Sequence, residues 1–375
     1  MKKVQYSRRQ FTSELLGGAI CIGLSPVLFA QQTLVSDSEI DWYDVKEIGV
    51  EGKAWTETIR YFDRLPAKAR TMVREPVWNL SRHSAGMCMR FVSDSSNIYV
   101  RYSLYLERLA MSHMPATGVS GLDLYAGDDI GMDRWVGVVR PEKQQIETSI
   151  AKNLGPGSRQ YTLYLPLFNG LDSLEVGVLK GESFEPLAPR KEKPILFYGT
   201  SIMQGACASR PGMAFPSILG RRLRRPTINL GFSGNGRMEG EVANLLAELD
   251  PSLYVIDCLP NMNEITISER AIPLVKKLRE ANNKTPILLV EDRNFTNTSF
   301  FPHRKSHHQK SRAALKKAYA ELSDAGVGNL YYMDGDHLLG NDGEAATDGS
   351  HPSDLGMVRY ADAYEPVLRS ILKQF

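Results

Sequence analysis

Ile195-Leu196-Phe197-Tyr198-Gly199-Thr200-Ser201-Ile202-Met203-Gln204-Gly205 decides how the second half of this chain folds. Four apolar residues in a row form a strand buried on both faces, not one that alternates between core and water. Gly-Thr-Ser then turns the chain tightly, and Ile202-Met203-Gln204 opens a helix. That sequence of events begins a parallel sheet covered by helices. Ser201 therefore stands at a strand's carboxyl end and a helix start, with its hydroxyl exposed. An oxyanion forming beside its N–H meets the positive end of the helix.

The rhythm recurs downstream. Residues 227–230, 253–257, 287–290 and 330–333 are short apolar runs, and helix-like stretches lie between runs at 241–249, 268–280 and 311–325. Ligands of an open parallel sheet bind outside the carboxyl ends of its strands, so the loop after each run matters. The second run is followed by Gly231-Phe232-Ser233-Gly234-Asn235-Gly236, a backbone able to approach a substrate closely. The third ends in Asp257-Cys258-Leu259-Pro260-Asn261-Met262-Asn263, which offers side-chain amide donors. The last loop is Asp348-Gly349-Ser350-His351-Pro352. A carboxylate and an imidazole three residues apart can meet through Nδ1, leaving Nε2 to face a serine.

Competing readings exist. Asp334-Gly335-Asp336-His337 has the same Asp-x-x-His spacing and also follows a strand. Gly231, Gly234 and Gly236, with Asp257 ending the next strand as a ribose-binding acid, suggest a nucleotide site. Their spacing is not the G-x-G-x-x-G that cradles a pyrophosphate. His303, His307 and His308 sit among Arg304, Lys305 and Lys310, the setting of a wet loop or helix start and not of a metal site. Arg210-Pro211-Gly212 reads equally as part of a pocket rim and as an ordinary loop.

Upstream, in a first domain at 40–186, the chain alternates at period two from about Trp42 to Lys180. Residues 87–92, a Ser93-Asp94-Ser95-Ser96-Asn97 turn and residues 98–102 read as strand, turn, strand, and 122–125, 161–167 and 174–179 repeat the pattern. Short strands with turns between them predict an antiparallel sandwich. All four tryptophans, Trp42, Trp55, Trp78 and Trp135, lie in this half. Packing is preferred for them over sugar-stacking platforms. A charged joint at 186–194 leads into a second domain at 193–375.

The first thirty residues stand apart. Lys2, Lys3, Arg8 and Arg9 precede an apolar run over 15–30, short for a membrane span of about 20 residues. It ends on the small Ala30, as a cleaved secretory signal does. Ser7-Arg8-Arg9-Gln10-Phe11 has the twin-arginine pattern that exports folded proteins. Periplasmic or secreted localisation is expected, with no stable membrane insertion after cleavage. Losing 1–30 turns the formal charge from +2 to −1. A chain 42% hydrophobic and 23% charged is not disordered. Its 45 basic and 43 acidic residues make no field for nucleic acid. Cys21 leaves with the signal; Cys88, Cys207 and Cys258 lack metal-ligand spacing, and free buried thiols are expected over a Cys207–Cys258 bridge.

Taken together, Gly199-Thr200-Ser201, Gly234, Asn261 and Asp348-x-x-His351 resemble, in order, the four blocks of SGNH (GDSL-like) hydrolases. Gly121-Leu122-Asp123-Leu124-Tyr125 resembles the G-x-D-L-Y motif of the β-rich domain preceding one branch of them, which is similar to bacterial carbohydrate esterases. The resemblance implies a flavodoxin-like three-layer α/β hydrolase domain behind an all-β sandwich or jelly-roll-like domain. It implies Ser201 as nucleophile, His351 as general base and Asp348 as its orienting carboxylate. The oxyanion donors would be the Ser201 and Gly234 N–H groups and the Asn261 side chain. His351 is preferred to His337 because Pro352 and a C-terminal helix follow it, as in the family's last block. The usual Gly-Asp-Ser is Gly-Thr-Ser here, and Gly-x-Asn-Asp is Leu259-Pro260-Asn261-Met262, which changes the neighbourhood of Asn261. The implied activity is hydrolysis of small acyl esters, acetyl above all, on a carbohydrate substrate without metal or organic cofactor. Lipid esters are the alternative substrate, and a non-catalytic carbohydrate-binding protein is a third reading.

Overall fold

Among the described residues, nine strands make the first half: β1 (Ile40–Asp44), β2 (Cys88–Ser93), β3 (Ile98–Leu104), β4 (Asp123–Gly127), β5 (Asp133–Val138), β6 (Gln145–Ala151), β7 (Arg159–Tyr164), β8 (Leu171–Leu179) and β9 (Phe184–Leu187). The computed structural model describes residues 39–128 and 131–375, so the export signal read at 1–30 lies outside the described residues. The strands form two antiparallel sheets, in the orders β1-β8-β3-β6 and β5-β4-β7-β2-β9. Val100 and Val176 of the first sheet share a core with Phe91, Leu124 and Leu163 of the second. The period-two pattern produces this. In β3, Val100, Tyr102 and Leu104 are buried while the intervening Arg101 and Ser103 are partly open.

The second half is a parallel sheet of β10 (Ile195–Gly199), β11 (Thr227–Gly231), β12 (Leu253–Asp257), β13 (Ile287–Val290) and β14 (Leu330–Met333). Its order, β11-β10-β12-β13-β14, is the flavodoxin-like one. Helices Gly240–Leu246, Glu264–Ala281 and Pro302–Asp324 pack on one face, and Phe215–Leu223 and Asp354–Leu372 on the other. This is the three-layer architecture expected. The chain order reverses at β10, so the loops after β10, β11 and β12 meet at one rim.

Helix boundaries depart from expectation for local reasons. Glu264–Ala281 begins four residues before 268 because Asn263 and Thr266 form a reciprocal capping box. Pro302–Asp324 begins nine residues before 311, with Pro302 at its first position. His303, His307 and His308 are therefore helical, and His308 is not wet: it is buried, with Nδ1 3.0 Å from Asp292.

The two halves are tied together. The segment between β1 and β2 leaves the sandwich and packs Val73, Val77 and Trp78 beside Leu230, Val242 and Leu246. Trp55 packs against the same cluster and donates to Glu248 at 3.2 Å. Trp42 lies under the Arg101 guanidinium, whereas Trp135 is half-exposed and donates to Asp123 at 3.0 Å. The charged joint is pinned as well, since β9 runs into it and Arg190 pairs with Glu51 at 2.6 Å. Cys88, Cys207 and Cys258 are buried free thiols. Among the described residues no helix is long and apolar enough to cross a membrane.

Two motifs left separate in the sequence recognise one another here. Asp123 of the G-x-D-L-Y motif is fully buried and accepts from Arg210 at 2.9 Å and from the Gly212 N–H at 2.8 Å. Tyr125 hydrogen-bonds Arg210 as well. Arg210-Pro211-Gly212 is thus the α/β half of a polar latch between the halves. Truncating one partner of such a buried pair strands the other charge, at a cost of about 3–5 kcal/mol. Asp123→Ala should therefore lower the thermal midpoint by several degrees in calorimetry, and an unchanged midpoint would dismiss the latch.

Candidate active site

Gly199 ends β10 and Ser201 begins the short helix Ser201–Gln204. The Thr200 hydroxyl caps that helix, accepting from the Ile202 N–H at 3.3 Å. Thr can therefore stand in for the Asp of a Gly-Asp-Ser motif, because either side chain can cap. Ser201 is only 6% exposed, more enclosed than its place on a turn suggests. Its Oγ lies 2.9 Å from His351 Nε2, and His351 Nδ1 lies 2.7 Å from Asp348 Oδ2. Asp348 Oδ1 accepts from the Ser350 N–H at 2.9 Å and the His351 N–H at 2.8 Å. Burial raises the Asp348 carboxyl, but these N–H groups and the His351 ring outweigh it and bring it down to about 2. An ionised Asp348 holds the proton on Nδ1, which leaves Nε2 to accept from Ser201.

The loop is held from behind. Arg293, buried and paired with Asp292, donates through Nε to the Ser350 carbonyl at 3.2 Å. The C-terminal helix begins at Asp354, with Ser353 in the N-cap position, and not directly at Pro352. His337 takes no part in the Ser201 contact; its neighbour Asp336 is drawn to Arg312 and Asn294.

The β11 loop closes over the same rim. Gly236 lies so close to β10 that a Cβ there would sit 1.9 Å from the Gly199 carbonyl. Gly234, at φ +69, is exposed, with open space where a side chain would be. Asn261 accepts from the Gly236 N–H through Oδ1 at 3.3 Å, which fixes the oxygen of the amide and leaves its nitrogen as the donor. The nucleotide reading fails at Asp257. That side chain is buried, Tyr364 donates to it at 2.7 Å, and burial pushes its carboxyl up to about 7.

Several residues of the site have no sequence signal. Gln204, completely buried, accepts from the Ser233 N–H at 3.1 Å and donates to the Leu167 carbonyl at 3.0 Å. Its Nε2 also lies 3.0 Å from His83 Nδ1. Burial and the charges of Arg64, Arg108 and Arg60 push the His83 imidazole down to about 3, so it stays neutral and accepts there. Arg64, fully buried, donates to the carbonyls of Asn229 (3.0 Å), Gly231 (2.7 Å), His83 (2.9 Å) and Leu80 (2.7 Å). Residues of the first half thus brace the loop that carries Gly234. His113, also from that half, brings its ring 5.7 Å from the His351 ring.

Residues 192–369 match the GDSL-like lipase/acylhydrolase family, and residues 40–184 match the N-terminal domain of SGNH-hydrolase-type esterases. A structure from Bacteroides ovatus ATCC 8483, assigned as a GDSL-like lipase, is 35% identical, with a TM-score of 0.85 over 89% of this chain and 98% of that one. The chain belongs to the GDSL-like lipase/acylhydrolase family. This acylhydrolase shares its fold with more distant proteins. The salicylyl-acyltransferase SsfX3 from a tetracycline biosynthetic pathway is 17% identical, with a TM-score of 0.67 over 90% of this chain and 96% of that one. An acetyl xylan esterase from the rumen bacterium Butyrivibrio proteoclasticus is 10% identical, with a TM-score of 0.54 over 90% of this chain and 100% of its own. No curated protein matches the GDSL-like chain.

Proposed function

We propose that this acylhydrolase is an exported serine esterase that removes small acyl groups, acetyl first, from carbohydrate through an acyl-serine. The unbroken contact chain from Ser201 through His351 to Asp348 carries the reading. His351 Nε2 takes the Ser201 proton as Oγ attacks the ester carbonyl. The carbonyl oxygen becomes an oxyanion facing the Ser201 and Gly234 N–H groups and the Asn261 amide. Ser201, first residue of its helix, has no intrahelical acceptor for its N–H. Collapse breaks the bond to the sugar oxygen, which leaves with the proton from His351. Water, deprotonated by His351, then attacks the acyl-serine and releases the acid and free Ser201.

The shared fold with an acetyl xylan esterase supports the acetyl and glycan parts of the reading. The Ser7-Arg8-Arg9-Gln10-Phe11 motif supports export. The deciding experiment measures acetate released from a panel of acetylated glycans, with acyl lipids of longer chain beside it. Acetate from at least one glycan is expected. Cleavage of the lipids alone would move the substrate to lipid esters.

Gln204 supplies a second test. Gln204→Leu keeps the volume of the side chain but strands the Ser233 N–H and loosens the Gly234 loop. The transition state should suffer more than substrate binding. The expected result on p-nitrophenyl acetate is a kcat lower by about tenfold to a hundredfold, with KM little changed. A rise in KM at unchanged kcat would remove the loop from the oxyanion site.

A further inference from the structure

A cleft of about 550 Å³ is lined in part by Asn261, and its charge is lopsided. Arg74, Arg237, Arg270 and His307 line it, against the single carboxylate of Glu239. That carboxylate is already shared, by Arg74 Nε at 2.5 Å and Arg270 Nη1 at 3.8 Å. Arg237 has no carboxylate within ion-pair distance among the described residues. Its Nε donates to the Gly234 carbonyl at 2.9 Å, and Arg270 Nη1 donates to the Arg237 carbonyl at 3.1 Å. Arg74 Nη1 is fixed on Asn235 at 2.9 Å. These guanidinium groups are therefore braced, and the Nη atoms of Arg237 remain available.

The excess is local. A chain with a formal charge of only +2 does not place positive charge everywhere. No Trp, Tyr or Phe lines the cleft, so the stacking surface a neutral sugar would use is missing among its described residues. A braced guanidinium with free parallel N–H groups matches a carboxylate or sulfate bidentately.

We propose that this cleft binds an anionic group, a uronate carboxylate or a sulfate, on the same glycan that carries the ester. The inference rests on the esterase reading and narrows its substrate to acidic glycans. Arg237 is the specificity-determining contact, and Arg270 positions it.

The test compares kcat/KM on acetylated polygalacturonate and acetylated sulfated xylan with that on neutral acetylated xylan, using p-nitrophenyl acetate as the uncharged reference. At least one acidic polymer should exceed the neutral one by about tenfold or more, the worth of one charge-assisted hydrogen bond. Which polymer it is identifies the anion. Arg237→Gln should collapse that ratio towards one, Arg237→Lys should restore part of it, and about 0.5 M NaCl should erode it. A ratio near one in the wild type, or one that survives Arg237→Gln, overturns the proposal while leaving the esterase intact. Inactivity on every ester, p-nitrophenyl acetate included, overturns the esterase reading, and this inference falls with it.

Discussion

Ser201→Ala is expected to lower kcat on p-nitrophenyl acetate by about four orders of magnitude or more, with the thermal midpoint unmoved. The Ser201 hydroxyl touches His351 and supports nothing else. Removing it leaves intact the Thr200 cap and the Asn229 amide that donates to the Met203 carbonyl at 2.7 Å. The backbone donors also remain, so a residue of rate over water persists from the oxyanion site alone. Thr200→Ala is the matched control. It should cost about 1 kcal/mol of stability through the lost cap while leaving most of the activity. Full activity in Ser201→Ala, with contamination excluded by active-site titration, would falsify the nucleophile assignment. Equal loss in both variants would say that the helix start, and not the hydroxyl, matters.

Sequence and structure agree where information is local. The five buried runs become five parallel strands because an apolar segment without a polar face has only a doubly covered sheet to occupy. Ser201, Asp348 and His351 could be picked out because each follows a strand or precedes a helix in a recognisable loop. Gln204, His83 and Arg64 could not. Arg64 meets backbone carbonyls 165 and 167 positions away, and a carbonyl looks the same on every residue. Gln204 lies one helical turn beyond Ser201 and reads as an ordinary helix former until its carbonyl oxygen is seen to hold the Ser233 N–H. The Asp123–Arg210 latch was half legible, since both motifs could be quoted but nothing local pairs them. His303, His307 and His308 were readable as a helix start, which Pro302 provides, but the burial of His308 was not. His308 then turns inward, towards the buried Asp292.

His351→Ala should abolish turnover about as completely as Ser201→Ala, while His337→Ala should leave it within a few-fold of wild type. Both histidines stand in Asp-x-x-His loops after the last strand, so only distance separates them. His351 Nε2 reaches Ser201 at 2.9 Å, whereas the loop of His337 is tethered through Asp336 to Arg312. Members of one proton-transfer unit are not additive, so Ser201→Ala/His351→Ala should be hardly worse than either alone. Asp348→Asn tests the third member. Its carboxyl, held down to about 2 by the His351 and Ser350 N–H groups against the effect of burial, is ionised throughout the working range. Asp348→Asn should keep the substrate KM and lose kcat by up to about four orders of magnitude through the wrong tautomer. A dead His337→Ala beside an active His351→Ala would reverse the assignment, because in the structure only His351 Nε2 contacts the Ser201 hydroxyl among the described residues.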